Sequence, residues 1–314
     1  MSAVEALLSA TFVTAFVSGA VTAAVPLLLV GLGEQISEKA GVLNLGLEGM
    51  MLVGAYCGFA LALASGSFWG GFGAGMAGGA FVAALMALLC VRFALNQIVV
   101  GIGLTLAAQG ATSLAHHIQF SSTFPRLPRQ PELALPLLSD IPVLGESLFT
   151  QHPFAYLSAA AIVLLAWLYR YSNVGLNLAA AGEKPAALDL AGVSVVATRC
   201  WAVLATGAFA GAGGAYLANV GAGLFVPFMT NGAGFMGIVL AMLARGRPSW
   251  VLAGALVVGL STSLTTAVQV AGFQVPTDVV QMIPFALIII FLVAFGRSAR
   301  LPEALGRPYE RGAH

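Results

Sequence analysis

Charge is what this sequence has least of. Only 8% of its 314 residues are Asp, Glu, Lys or Arg, against about 25% in an ordinary soluble domain. So few ionisable side chains cannot solvate the surface of a soluble fold of this size. The net charge is +1, with no block of Lys or Arg to displace counterions from phosphates, which excludes a nucleic-acid surface. The three cysteines, Cys57, Cys90 and Cys200, stand far apart in apolar runs without CxxC or His spacing, and they read as small hydrophobes. The N-terminus, MSAVEALLSA, lacks the basic stretch of a secretory signal, so the first apolar run is expected to remain as a membrane span.

The patterns of catalysis are missing too. No Walker A sequence occurs, so any ATP coupling needs a partner subunit. Residues Gly73 to Gly78 fit GxGxxG, but they sit inside an apolar run with no strand before them and no acid about 20 positions on. His116, His117 and His152 lack HExxH spacing and read as interfacial residues, with no metal expected. The intramembrane serines have no GxSxG elbow. An enzyme is therefore not expected, nor a cofactor bound by this chain.

What is abundant is apolar sequence: 59% of residues are hydrophobic. Runs near the ~20 residues that cross ~30 Å of hydrocarbon as a helix extend from about Leu7 to Leu32, Leu45 to Ala64, Phe68 to Val91, Ile98 to Leu114, Phe154 to Tyr169, Trp201 to Val220, Phe235 to Ala244, Trp250 to Val270 and Val279 to Phe295. The fold class is thus an all-α polytopic membrane protein of about nine spans, with eight to ten possible, forming a single domain over 1–314. The seventh is the weakest, because Pro227, Asn231 and several glycines precede it, and it is expected to start late or broken. With the C-terminus in the cytoplasm, nine spans put eleven of the thirteen Lys and Arg inside, as the positive-inside rule requires. The N-terminus then faces out. Two polar excursions result: 120–153 outside and 172–199 in the cytoplasm.

In the second excursion, Glu183, Lys184 and Pro185 signal a turn, with Pro185 at the first position of a short helix, Ala186 to Ala191, that stops at Gly192. Inside the membrane, Gly71, Gly75 and Gly79, and Gly207 with Gly211, make GxxxG steps suited to close helix packing. Polar groups within or beside the runs are Asn44, Glu48, Asn96, Gln97, Gln109, Asn219, Asn231, Gln269 and Gln281; at depth they must pair or face a cavity. Asn44 is placed to cap a helix with Glu48 in its first turn, and Asn96 to cap the fourth span. Glu48 reads as the only acid buried in a span.

The run GLGEQISEKAGVLNLGLEGMMLVGAY, Gly31 to Tyr56, resembles the permease subunits of bacterial ABC importers of the ribose and nucleoside type. NQIVVGIGLTLAAQG (Asn96 to Gly110), VGLNLAAAGEKPAALDLAGVSVVATR (Val174 to Arg199) and GFMGIVLAMLARGRPSWVLAGALVVG (Gly234 to Gly259) carry the same likeness. The resemblance implies an inner-membrane permease that pairs with a second, often non-identical permease. It further implies a periplasmic binding protein docking partly on 120–153, and a cytoplasmic ATPase that holds ATP and Mg. The coupling helix would be Glu183 to Gly192, with Lys184, Pro185, Ala187, Asp189 and Leu190 as contacts. Asn44, where ribose permeases tend to carry aspartate, favours nucleosides and leaves simple sugars open. Asn44, Glu48, Asn96, Gln97 and Gln109 could line the substrate pathway, since a neutral polyhydroxyl solute needs amide donors and acceptors more than fixed charges. An ion-gradient carrier with Glu48 as proton carrier is the competing expectation, set against a single buried acid and no clear internal repeat.

Overall fold

A computed structural model describes residues 10–136, 139, 141, 144–270, 279, 282–296 and 301–309. Among the described residues the regular structure is helical apart from a two-residue pairing of β1 (Leu133–Ala134) with β2 (Thr150–Gln151). The helices are α1 (Ala10–Lys39), α2 (Leu47–Ser65), α3 (Phe68–Met86), α4 (Gln97–Phe120), α5 (Leu144–Phe149), α6 (Pro153–Tyr171), α7 (Asn173–Glu183), α8 (Pro185–Leu190), α9 (Val195–Tyr216), α10 (Ala233–Ala244), α11 (Pro248–Val270) and α12 (Ile283–Phe295). Seven described helices are long and apolar enough to cross a membrane, namely α1, α2, α3, α4, α6, α9 and α11, while α10 and α12 are shorter apolar helices. Each of the nine expected runs therefore contains a described helix. Pro276, Gln281, Arg297 and Arg300 lie outside the described residues, as does Arg311.

Helix α1 differs most from expectation. It runs seven residues past Leu32 to Lys39, carrying Glu34, Gln35 and Glu38 into the protein interior at 5% exposure or less. Polar residues end a span only where they meet water; here neighbouring helices cover them.

The centre of the bundle is α9, which packs on α1, α2 and α3. Glycines make this closeness possible. A Cβ on Gly211 would strike the Gly75 carbonyl, and one on Gly79 the Gly207 carbonyl. In lipid, where burial of apolar surface offers little net drive between helices, such backbone approach supplies the van der Waals contact. Both α3 and α9 end in π-helical turns, Ala87–Arg92 and Leu217–Ala222. After the second, Gly223 turns left-handed and the chain regains helical form only at Ala233. The seventh span thus starts late.

Candidate functional site

Glu48 lies in the first turn of α2, yet its carboxylate serves another helix. One oxygen accepts from the Gly232 amide at 2.9 Å and the other from the Gly234 amide at 2.6 Å. These are orphan donors at the start of α10, which has no side-chain cap of its own, and a buried anion there meets both the free N–H groups and the helix dipole. Gly234 has to be glycine for this approach, because an added Cβ would lie 2.5 Å from the Glu48 Cα. Gly232, at φ +82°, supplies the left-handed turn into the helix.

Asn44 does not cap α2 as expected. The residue before that helix is Gly46, with no side-chain cap. The Asn44 amide nitrogen instead sits 3.3 Å from the Met50 sulfur, and the Asn44 backbone N–H donates to Glu34 at 3.2 Å. The chain leaving α1 is wound so tightly, with Gly41 at φ +84°, that its amides are met from α1 and α4 rather than from α2. Gln97 completes this: its Oε1 accepts from the Leu43 N–H at 2.8 Å. Asn96 is exposed and caps α4, accepting from Ile98 and Val99. Gln109 is half-buried on α4. Asn219 is buried with its amide near the Gly58 carbonyl, Asn231 sits in a left-handed turn before α10, and the Gln269 side chain lies outside the described residues.

The sequence reading missed the polar interior at the end of α1. Glu34, Gln35, Glu38 and Asn44 are all within 5% exposure. Glu34 Oε2, both Gln35 amide atoms, Glu38 Oε2 and Asn44 Oδ1 have no hydrogen-bond partner among the described residues. Buried polar atoms of this kind call for water or a polar ligand. The expectation of a single buried acid is therefore corrected: Glu34, Glu38 and Glu48 are all buried. The spacing 34, 35, 38 on one helical turn was the available signal. A separate cleft of about 300 Å³ between α2, α3 and α4, lined by Val53, Tyr56, Phe81, Leu104, Ala108 and Thr112, is almost wholly apolar.

Near Lys39, several chain segments meet. The short helix expected at Ala186 to Ala191 is α8, Pro185–Leu190, with proline in its first turn and Gly192 at φ +82° after it. Lys184 precedes it as the last residue outside helical geometry. Leu188 is buried against Ala181 and Val195, while Leu190 is 90% exposed and Ala187 is exposed. Glu183 is exposed at the end of α7 and Asp189 is half-buried. Across the molecule, His152 Nδ1 accepts from the Phe154 N–H at 3.1 Å and caps α6. No group of three or more His, Cys, Asp or Glu suited to a metal occurs among the described residues.

Comparison with known proteins adds the family. Residues 16–292 match the family described as branched-chain amino acid transport system / permease component. The ABC transporter permease protein TsgC13 of Haloferax volcanii is 41% identical over 261 residues, covering 81% of this chain and 78% of its own. The glucose ABC transporter permease protein TsgB13 of the same organism is 32% identical over 286 residues, 86% and 74%. The guanosine ABC transporter permease protein NupQ of Bacillus subtilis is 30% identical over 300 residues, 92% and 94%.

Proposed function

From a chain that belongs to the family of permease components of branched-chain amino acid transport systems, we propose a subunit that passes nucleosides or simple sugars inward through an ABC importer. It is a multi-pass membrane protein and a transport component, not an enzyme; ATP hydrolysis belongs to a separate subunit. Ion-gradient carriage is not supported by the relatives, which are permease proteins of ABC transporters.

The single observation that carries the coupling half of this reading is α8. It is a short, rigidly started helix whose apolar tip, Leu190, projects 90% exposed beside the Lys39 end of the bundle. A short surface helix that lays an apolar side chain into a partner's groove is a recurring mode of recognition. On this reading Glu183 to Gly192 seats in the ATPase, which holds ATP and Mg. That end is cytoplasmic, and residues 120–153 face a periplasmic binding protein across the inner membrane. A second permease completes the pathway, consistent with likeness to two permeases of one organism. Within the pathway, Asn44, whose Oδ1 is unpartnered, and Gln109 retain polar capacity for a solute, whereas Glu48, Asn96 and Gln97 act by shaping the backbone around it.

The test is labelled nucleoside and glucose uptake by the full importer, with ATP depleted or the proton gradient collapsed. Loss on ATP depletion alone, and uncoupling of ATP hydrolysis from uptake by Asp189→Ala/Leu190→Glu, are expected. Uptake that survives ATP depletion and fails with the gradient would overturn the proposal.

A further inference from the structure

Arg199, in the second turn of α9, is 2% exposed and spends its guanidinium entirely on main-chain carbonyls. Nε donates to Ala40 O at 3.1 Å, just past the end of α1; Nη2 donates to Ala181 O at 3.1 Å, in the last turn of α7; Nη1 donates to Arg307 O at 2.8 Å in the C-terminal segment. The first two acceptors lie at helix C-termini, where carbonyls are unpaired and the dipole is negative. Only the planar five-donor fork of arginine can reach three such oxygens at once.

The same segments are joined without side chains. Ala304 N–H donates to Gly182 O at 2.9 Å and Gly306 N–H to Gly41 O at 3.1 Å. A Cβ on Gly182 would strike the Lys39 carbonyl and lie 3.1 Å from the Gly41 nitrogen, so the end of α7 rests directly on the end of α1. Helix α8 is held to this junction by Leu188, which packs with Ala181, Val195 and Tyr309. From Ala40, the chain leads into the turn whose amides bind Glu34 and Gln97, and on to Glu48 in α2, which accepts from the amides at the start of α10.

We propose that Arg199 is a positioning residue for energy coupling: with residues 304–307 it welds α7 and α8 to the end of α1, so that displacement of α8 moves α1 as one body. The inference rests on reading α8 as the ATPase contact. Without the weld, α8 would move against the bundle, and ATP would be hydrolysed without moving solute.

The experiment uses the whole importer in proteoliposomes with loaded binding protein, and records ATPase co-purified, ATP hydrolysed and solute taken up. Arg199→Lys, which keeps the charge but cannot bridge three carbonyls, and a chain ending at Arg300 should both retain the ATPase while uptake per ATP falls at least tenfold. Unchanged uptake per ATP in either assembled variant overturns the proposal, as does loss of the ATPase from both, which would make the junction purely architectural. Leu190→Glu is the control: if uptake per ATP is unchanged in that variant, the reading of α8 fails; if uptake per ATP falls or the ATPase is lost there while Arg199→Lys changes nothing, only the weld fails.

Discussion

Removing the Glu48 carboxylate should damage the fold before it damages transport. Its two oxygens take the amides of Gly232 and Gly234 at 2.9 and 2.6 Å, at 2% exposure. Hydrogen bonds to a charged group contribute roughly 1.5–3 kcal/mol each, and a buried donor left unpaired costs roughly 1–3 kcal/mol. Glu48→Ala strands both donors and opens a void, so a loss of about 3–5 kcal/mol is expected. Glu48→Gln can accept at one position but turns an NH2 group towards the other donor, and should lose about 2–3 kcal/mol. Glu48→Asp keeps the charge but is one methylene short, and should fall between wild type and Glu48→Gln. The assay is thermal unfolding of the detergent-purified chain, followed by tryptophan fluorescence, with uptake measured per folded transporter. A Glu48→Gln protein as stable as wild type yet inactive would refute the capping argument and make the carboxylate itself part of the transport chemistry.

Three further outcomes follow from the geometry. Gly211→Ala drives a Cβ into the Gly75 carbonyl and should cost about 1–3 kcal/mol or prevent folding, while Gly110→Ala, where nothing lies within 4 Å, should be neutral or gain up to about 1 kcal/mol of helix propensity; expression and melting temperature distinguish them. Gln97→Ala leaves the half-buried Leu43 amide without its acceptor and should lower the melting temperature by an amount matching about 1–2 kcal/mol, with Asn96→Ala, an exposed cap, costing about 1 kcal/mol. Burial holds the His152 imidazole below its ordinary value, and Nδ1 must be unprotonated to accept from Phe154; the stabilisation is therefore present above about pH 6.5 and lost as pH falls through the lower folded-state value. Melting temperature should drop between pH 7.5 and 5, and His152→Asn, which can cap without titrating, should flatten that dependence.

Much of this was legible in the sequence for one physical reason: lipid forces backbone amides to pair within a segment, so a long apolar run has little choice but helix. The late start of α10 was legible because Gly232 and Asn231 need left-handed backbone. Where the reading failed, it treated polarity as an edge. Glu34, Gln35 and Glu38 ended the first span on paper, whereas α1 carries them on to Lys39 beneath neighbouring helices. Asn44 and Glu48 were assigned as caps to the nearest helix start, as capping rules suggest, but the Asn44 side chain reaches the Met50 sulfur while its backbone N–H goes back to Glu34, and the Glu48 carboxylate takes an amide 184 residues away. A local rule cannot see such pairings, since the glycines that permit them at 41 and 234 declare only that backbones come close, not which ones.

That limit also explains how rigidity is divided in the molecule. Between α3 and α9 the contact is glycine backbone on glycine backbone, which is close but carries no directional side-chain bond. Around Ala40, Gly182 and Arg199, by contrast, five directional bonds fix three chain segments. Smooth helix faces can slide by small amounts while a hydrogen-bonded junction moves as a unit. If α8 receives the driving force, as proposed, a junction that moves as a unit and faces that can slide are both needed, and arginine serves the first and glycine the second.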